Sequence, residues 1–115
     1  DGLDELSTTG ENRAVELAEG RISERILKPE DAGLPRARLS DLLGGSPADN
    51  AAIARELLGG APGPRRDIVV FNTAFALVAA GIAKDPRDGA SRAAAALDSG
   101  AALRKLEDFA AATLA

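Results

Sequence analysis

The hydrophobic period of this chain changes near Leu34, and no other feature restricts its fold as much. Upstream, apolar and polar residues tend to alternate, which sends side chains to opposite faces of a strand; downstream, apolar residues recur at helical spacing. A chain of 115 residues with one such switch is a single domain at most, a short strand pair followed by helices. Apolar residues make up 45% of the chain, yet its only aromatics are three Phe. A core of Ala, Leu, Ile and Val is expected, and that suits close helix packing better than a β-sandwich.

The strands read as Asn12–Leu17 and Arg21–Leu27, joined through Ala18-Glu19-Gly20, where Gly20 can take a positive φ. Val15 and Leu17 alternate with Arg13 and Glu16, and Ile22 and Ile26 flank Glu24, so one face should be partly buried. Pro29–Gly33 reads as a single helical turn. A short turn at Ser40–Leu43 follows. Ser46 then caps a helix that has Pro47 at its first position, carries Ala54/Leu58 and Ile53/Leu57 at helical spacing, and stops at Gly59-Gly60. The segment from Arg65 to Ala80 is apolar on nearly every side, which predicts a buried central helix with no strand between Ile68 and Ala80. Asp85–Asp88 caps an Ala-rich helix ending near Ser99-Gly100, and a last helix carries Leu103, Leu106, Ala110 and Leu114 on one stripe.

The residues that are missing exclude much chemistry. With no Cys and no His, thiolate nucleophiles, His-based triads and imidazole or thiolate zinc sites are ruled out. Carboxylates, hydroxyls, backbone amides, Lys and Arg remain, and oxygen coordination of a hard cation fits that set best. The net charge is −4 with both signs interspersed, so there is no basic patch of the kind that holds nucleic acid. The most apolar run, Ile68 to Ala80, is too short to span a bilayer.

Carboxylates gather at the start, Asp1-Gly-Leu-Asp-Glu-Leu-Ser-Thr-Thr-Gly10, in a glycine-containing turn with hydroxyls behind it and no preceding Met. The chain is expected to be a piece of something longer. This segment resembles the metal-binding motif of the anthranilate phosphoribosyltransferase family, which has the type 3 glycosyltransferase fold. Later stretches are similar in the same order: Glu30–Leu34, Leu43–Ala51, Gly63–Ala74 and Asp98–Ala101.

The resemblance implies an α/β fold in which residues 1–115 form the C-terminal part of the catalytic α/β domain, a hairpin followed by helices. It implies phosphoribosyl transfer from phosphoribosyl pyrophosphate to anthranilate in tryptophan biosynthesis, in the cytoplasm. Asp4 and Glu5 match the family residues that hold Mg²⁺ against the pyrophosphate, with two ions implied, and Asp1 is assigned to shaping the turn. The family's glycine-rich loop, its anthranilate pocket and the helical domain through which it forms homodimers would lie upstream. Two relatives of the fold are rivals. A nucleic-acid-binding paralogue would be expected to lose the acidic pair and gain a basic groove. A nucleoside phosphorylase-like enzyme fits the Leu-Asp-Glu-Leu-Ser-Thr run less well.

Three other features read as structural. Ser7, Thr8 and Thr9 are expected to cap the opening turn. Gly59–Arg66 looks like an anion loop but lacks Walker spacing, and a helix stop followed by a helix start explains all of it except Arg65 and Arg66. Asn72, the amide inside the apolar helix, is expected to serve packing and register between helix and sheet.

Overall fold

The structure is a computed structural model that describes residues 2–113. Its elements are β1 (Asn12–Ala18), β2 (Arg21–Leu27), 3₁₀ turns at Pro29–Ala32 and Leu39–Leu42, α1 (Pro47–Leu58), α2 (Pro64–Ala79), α3 (Pro86–Asp98) and α4 (Ala101–Thr113). The change of period at Leu34 thus marks the passage from hairpin to helices. No strand forms within residues 68–80, although Ile68, Val69 and Val70 are all β-branched. Among the described residues no helix is long and apolar enough to cross a membrane.

β1 and β2 pair antiparallel, with Ala18 opposite Arg21 and Leu17 opposite Ile22. Glu19 (φ 50°) and Gly20 (φ 75°) both lie in the left-handed region, and a two-residue turn of that kind matches the twist of the strands. Gly20 adopts it freely, whereas Glu19 is strained by its Cβ. Glu19→Asn should therefore raise stability by about 0.5–1 kcal/mol, because Asn tolerates this conformation and Asn-Gly favours the turn. A thermal unfolding midpoint at or below that of the parent protein would contradict this.

The register puts Val15, Leu17, Ile22 and Ile26 on one face of the hairpin. That face is more open than the alternation suggested, with Leu17 and Ile22 more than 70% exposed. Two strands cannot cover their own face, and the helices pack on one another rather than over this pair.

The core lies between α2 and α3. Val70, Phe71 and Ala74 of α2 meet Ala90, Ala93 and Leu97 of α3, with Ala32 from the first 3₁₀ turn closing one end. Phe71 stands edge-on to Phe75 with ring centroids 5.2 Å apart. Small residues at the contact let the two backbones approach, as the Ala-rich composition foretold. The apolar girdle of α2 is only partly used, since Val69 is 36% exposed among the described residues.

Capping explains the helix starts. The Ser46 hydroxyl accepts from the Asp49 N–H while the Asp49 carboxylate accepts from the Ser46 N–H, a reciprocal pair at the head of α1. The Asp85 carboxylate accepts from the Asp88 N–H at the head of α3 (2.8 Å). Leu103 and Leu106 of α4 are half-buried as expected; Leu114, assigned to the same stripe, lies outside the described residues.

Candidate functional site

The segment between Gly2 and Glu11 has no regular structure, so side-chain hydrogen bonds must give it its shape. Two asparagines supply most of them. Asn72, on α2, accepts from the Leu6 N–H (3.0 Å) and donates to the Leu6 carbonyl (2.8 Å) and to the Ile68 carbonyl one turn back (2.9 Å). Asn12, the first residue of β1, accepts from the Ser7 N–H (2.6 Å) and donates to the Ser7 carbonyl (2.9 Å). Its amide also reaches the Gly10 and Leu27 carbonyls, each at 3.3 Å. Two consecutive residues are thus held at both N–H and C=O, as a neighbouring strand would hold them.

The hydroxyls complete the turn. Ser7 Oγ accepts from the Thr9 N–H (3.0 Å) and lies 2.9 Å from Thr9 Oγ1. The Thr8 carbonyl accepts from the Ala37 N–H (3.0 Å), and its side chain is fully buried. Ser7 and Thr9 thus cap the turn as expected, whereas Thr8 contributes through its backbone carbonyl and its buried hydroxyl has no hydrogen-bond partner among the described residues.

Asp4 and Glu5 come immediately before this braced stretch. Both are exposed and line an open cleft of about 650 Å³ together with Ser7, Thr9, Arg13 and Asn72. Among the described residues neither carboxylate has an ion pair or a hydrogen bond. The nearby cations are engaged elsewhere, Arg13 with Glu24 (2.6 Å) and Lys28 with Glu11 (2.9 Å). The hydrogen bond from Lys28 holds the Glu11 carboxyl below its ordinary range and raises the Lys28 ammonium. What this pair adds is complete between the usual Glu and Lys ranges, disappearing as pH falls through the lowered value of Glu11 or rises through the raised value of Lys28. It fastens the end of the acidic segment to the end of β2.

The site is a pair of carboxylates rather than a cage, since no group of three or more acids, His or Cys capable of holding a metal occurs among the described residues. Mg²⁺ suits such a pair: it keeps several waters and typically takes only one or two protein carboxylates beside phosphate oxygens. Oxygen donors with no competing cation among the described residues, facing an open cleft, suit that ion. Asp1, assigned to the turn, lies outside the described residues.

The glycine-rich Gly59–Arg66 stretch is structural, and the structure accounts for the two arginines left over by the sequence. Arg65 donates to the Leu43 carbonyl (2.6 Å) and Arg66 pairs with Asp98 (2.8 Å), tying the start of α2 to the loop before α1 and to the end of α3. Asn72 differs from expectation. It links helix to acidic loop, not helix to sheet, because the residue lying across from it is Leu6. Asn12 was read only as the start of a strand, and no local signal marks its role in the loop.

Comparison with known proteins agrees with this arrangement. The family model described as the glycosyl transferase family, a/b domain, matches residues 1–103. The anthranilate phosphoribosyltransferase of Parvibaculum lavamentivorans is 52% identical over 113 residues, covering 98% of this chain and 33% of that protein. The crystal structure of the Thermus thermophilus anthranilate phosphoribosyltransferase superposes with a TM-score of 0.86 at 42% identity, over 96% of this chain and 33% of that one. Two structures of the Saccharomyces cerevisiae enzyme, one in complex with 4-fluoroanthranilate and one a variant with Mg bound, give TM-scores of 0.81 and 0.80, each at 30% identity over 94% of this chain and 32% of theirs. The chain spans about a third of the length of the relatives it matches. With its acidic turn, hairpin and helices in the order these relatives share, the chain belongs to the glycosyl transferase family, within its a/b domain.

Proposed function

We propose that this chain is the C-terminal part of the catalytic α/β domain of an anthranilate phosphoribosyltransferase, and that Asp4 and Glu5 hold Mg²⁺ at the pyrophosphate of phosphoribosyl pyrophosphate. One observation carries the reading: two adjacent carboxylates, unpaired with any cation among the described residues, stand at a cleft on a loop braced from α2 and β1. The reaction forms a bond from the anthranilate nitrogen to the ribose carbon and breaks that carbon's bond to pyrophosphate. Mg²⁺, when bound, would neutralise the charge that develops on the leaving group. The chain's own contribution is to present the two carboxylates at the leaving-group side and to hold their loop still. The yeast relatives with Mg and with 4-fluoroanthranilate support the ion and the acceptor class. In this reading the acceptor pocket and the dimer contact belong to upstream segments.

Formation of N-phosphoribosyl-anthranilate by the full-length protein, followed through the loss of anthranilate fluorescence and dependent on Mg²⁺, is the direct test. The 115-residue chain by itself should show no turnover and at most weak affinity for magnesium pyrophosphate. Two carboxylates leave most of the ion's coordination to phosphate oxygens, and in this reading the groups that fix the ribose carbon near the attacking nitrogen lie upstream. Positioning of that kind can supply about 7–11 kcal/mol of the barrier reduction. Measurable turnover by the purified chain would show that the catalytic unit is smaller than proposed.

A further inference from the structure

We propose that Asn72 is a positioning residue for the metal site, setting the direction in which Asp4 and Glu5 enter the cleft by holding the backbone that follows them. The proposal rests on the assignment of Asp4 and Glu5 to Mg²⁺. The Leu6 N–H belongs to the peptide unit that joins Glu5 to Leu6. Its bond to Asn72 Oδ1 (3.0 Å), with the amide's return bond to the Leu6 carbonyl (2.8 Å), fixes the planes on both sides of Leu6. Glu5 therefore leaves a backbone whose orientation is dictated from α2, a contact bridging 66 positions of sequence.

The platform beneath Asn72 is firm. Its neighbour Phe71 and, two residues on, Ala74 are both fully buried in the α2–α3 core. The third bond, to the Ile68 carbonyl (2.9 Å), locks the amide's rotation against its own helix. Asn72 also lines the same cleft as the acidic pair. An amide within the apolar stretch of α2 costs desolvation, and a Leu there would pack without that cost. What the amide adds is directional: every bond it makes either orients the acidic loop or orients the amide itself. Asn12 repeats the arrangement one residue later, on the Ser7 N–H and carbonyl, so the loop is fixed from helix and strand together. Residues that orient metal ligands through hydrogen bonds typically change metal affinity about 10–100-fold when removed.

The test uses the full-length enzyme with Asn72→Ala, Asn72→Ser, Asp4→Ala and, as a purely structural comparison, Leu106→Ala on the half-buried face of α4, outside the α2–α3 core. Binding of Mg²⁺ in the presence of inorganic pyrophosphate is measured by calorimetry. Exchange of the Leu6 amide is measured by hydrogen exchange in the metal-free protein. Asn72→Ala is expected to weaken Mg²⁺ binding on the order of tenfold and to speed Leu6 exchange. Leu106→Ala should lower the melting temperature and move neither readout. Asn72→Ser can still bond the Ile68 carbonyl on its own helix but cannot span both Leu6 groups, so it should behave like the Ala variant while remaining folded. Wild-type Mg²⁺ affinity in both Asn72 variants, with Asp4→Ala impaired, would overturn the positioning role and leave the metal assignment standing. Wild-type affinity in Asp4→Ala as well would remove the metal assignment, and the positioning role with it.

Discussion

On the proposed metal assignment, turnover of the full-length enzyme should fall about a hundred- to a thousandfold when Asp4 or Glu5 is replaced by Ala, with the fold unchanged. The estimate follows from the several kcal/mol a metal contributes to a developing charge, at about 1.4 kcal/mol per tenfold in rate. Stability should barely move, because both side chains are exposed and neither has a protein partner among the described residues. Surface changes of that kind usually lie within about 0.5 kcal/mol of neutral. The loss should appear in kcat more than in KM, since the charge on the leaving pyrophosphate grows toward the transition state. Excess Mg²⁺ should restore part of the rate in the single variants, where one carboxylate survives. Unchanged activity at limiting Mg²⁺ in either variant would rule out the assignment.

That this acidic pair stood out as a candidate in the sequence, while the residues bracing it did not, has a physical cause. Asp4 and Glu5 belong to a contiguous run, and the later matching segments follow it in order. The caps at Ser46 and Asp85 were equally legible, because each cap bonds within three residues of itself. The hairpin turn was visible in Gly20 for the same reason. Asn72 shows where such reading stops. An amide in an apolar helix announces that it must bond something, but the partner lies 66 positions away and only the fold brings it near. The arginine pair at Arg65 and Arg66 behaves alike, one closing on Leu43 and the other on Asp98. The openness of the hairpin face is a third case. Alternation reports which side chains share a face, and whether anything covers that face is a property of the other elements.

Gly89 is the position where local reasoning predicts the wrong sign, and it carries the largest stability effect expected here. It lies in the first turns of α3, where helix propensity alone says that Gly→Ala should stabilise by about 1 kcal/mol. Yet a Cβ built on Gly89 would stand 2.6 Å from the Ala74 carbonyl oxygen and 2.8 Å from the Ala74 Cα of α2. Both are backbone atoms of a buried helix, so no side-chain rotation relieves the overlap. The two helices would have to separate, opening the contact that Val70, Phe71 and Ala74 make with Ala90, Ala93 and Leu97. Overpacking of this kind typically costs about 1–3 kcal/mol, and a clash against backbone belongs at the upper end. Set against the propensity gain, Gly89→Ala should lose about 2 kcal/mol, and Gly89→Val more, since its branched side chain adds bulk at the same point. Ser91→Ala, on the exposed side of the same helix, provides the contrast. It gains propensity with no clash and should be neutral or slightly stabilising. Denaturant unfolding of the three variants decides between the accounts. If Gly89→Ala and Ser91→Ala both stabilise, propensity governs α3, and the close approach of α2 and α3 does not hold the core together as argued.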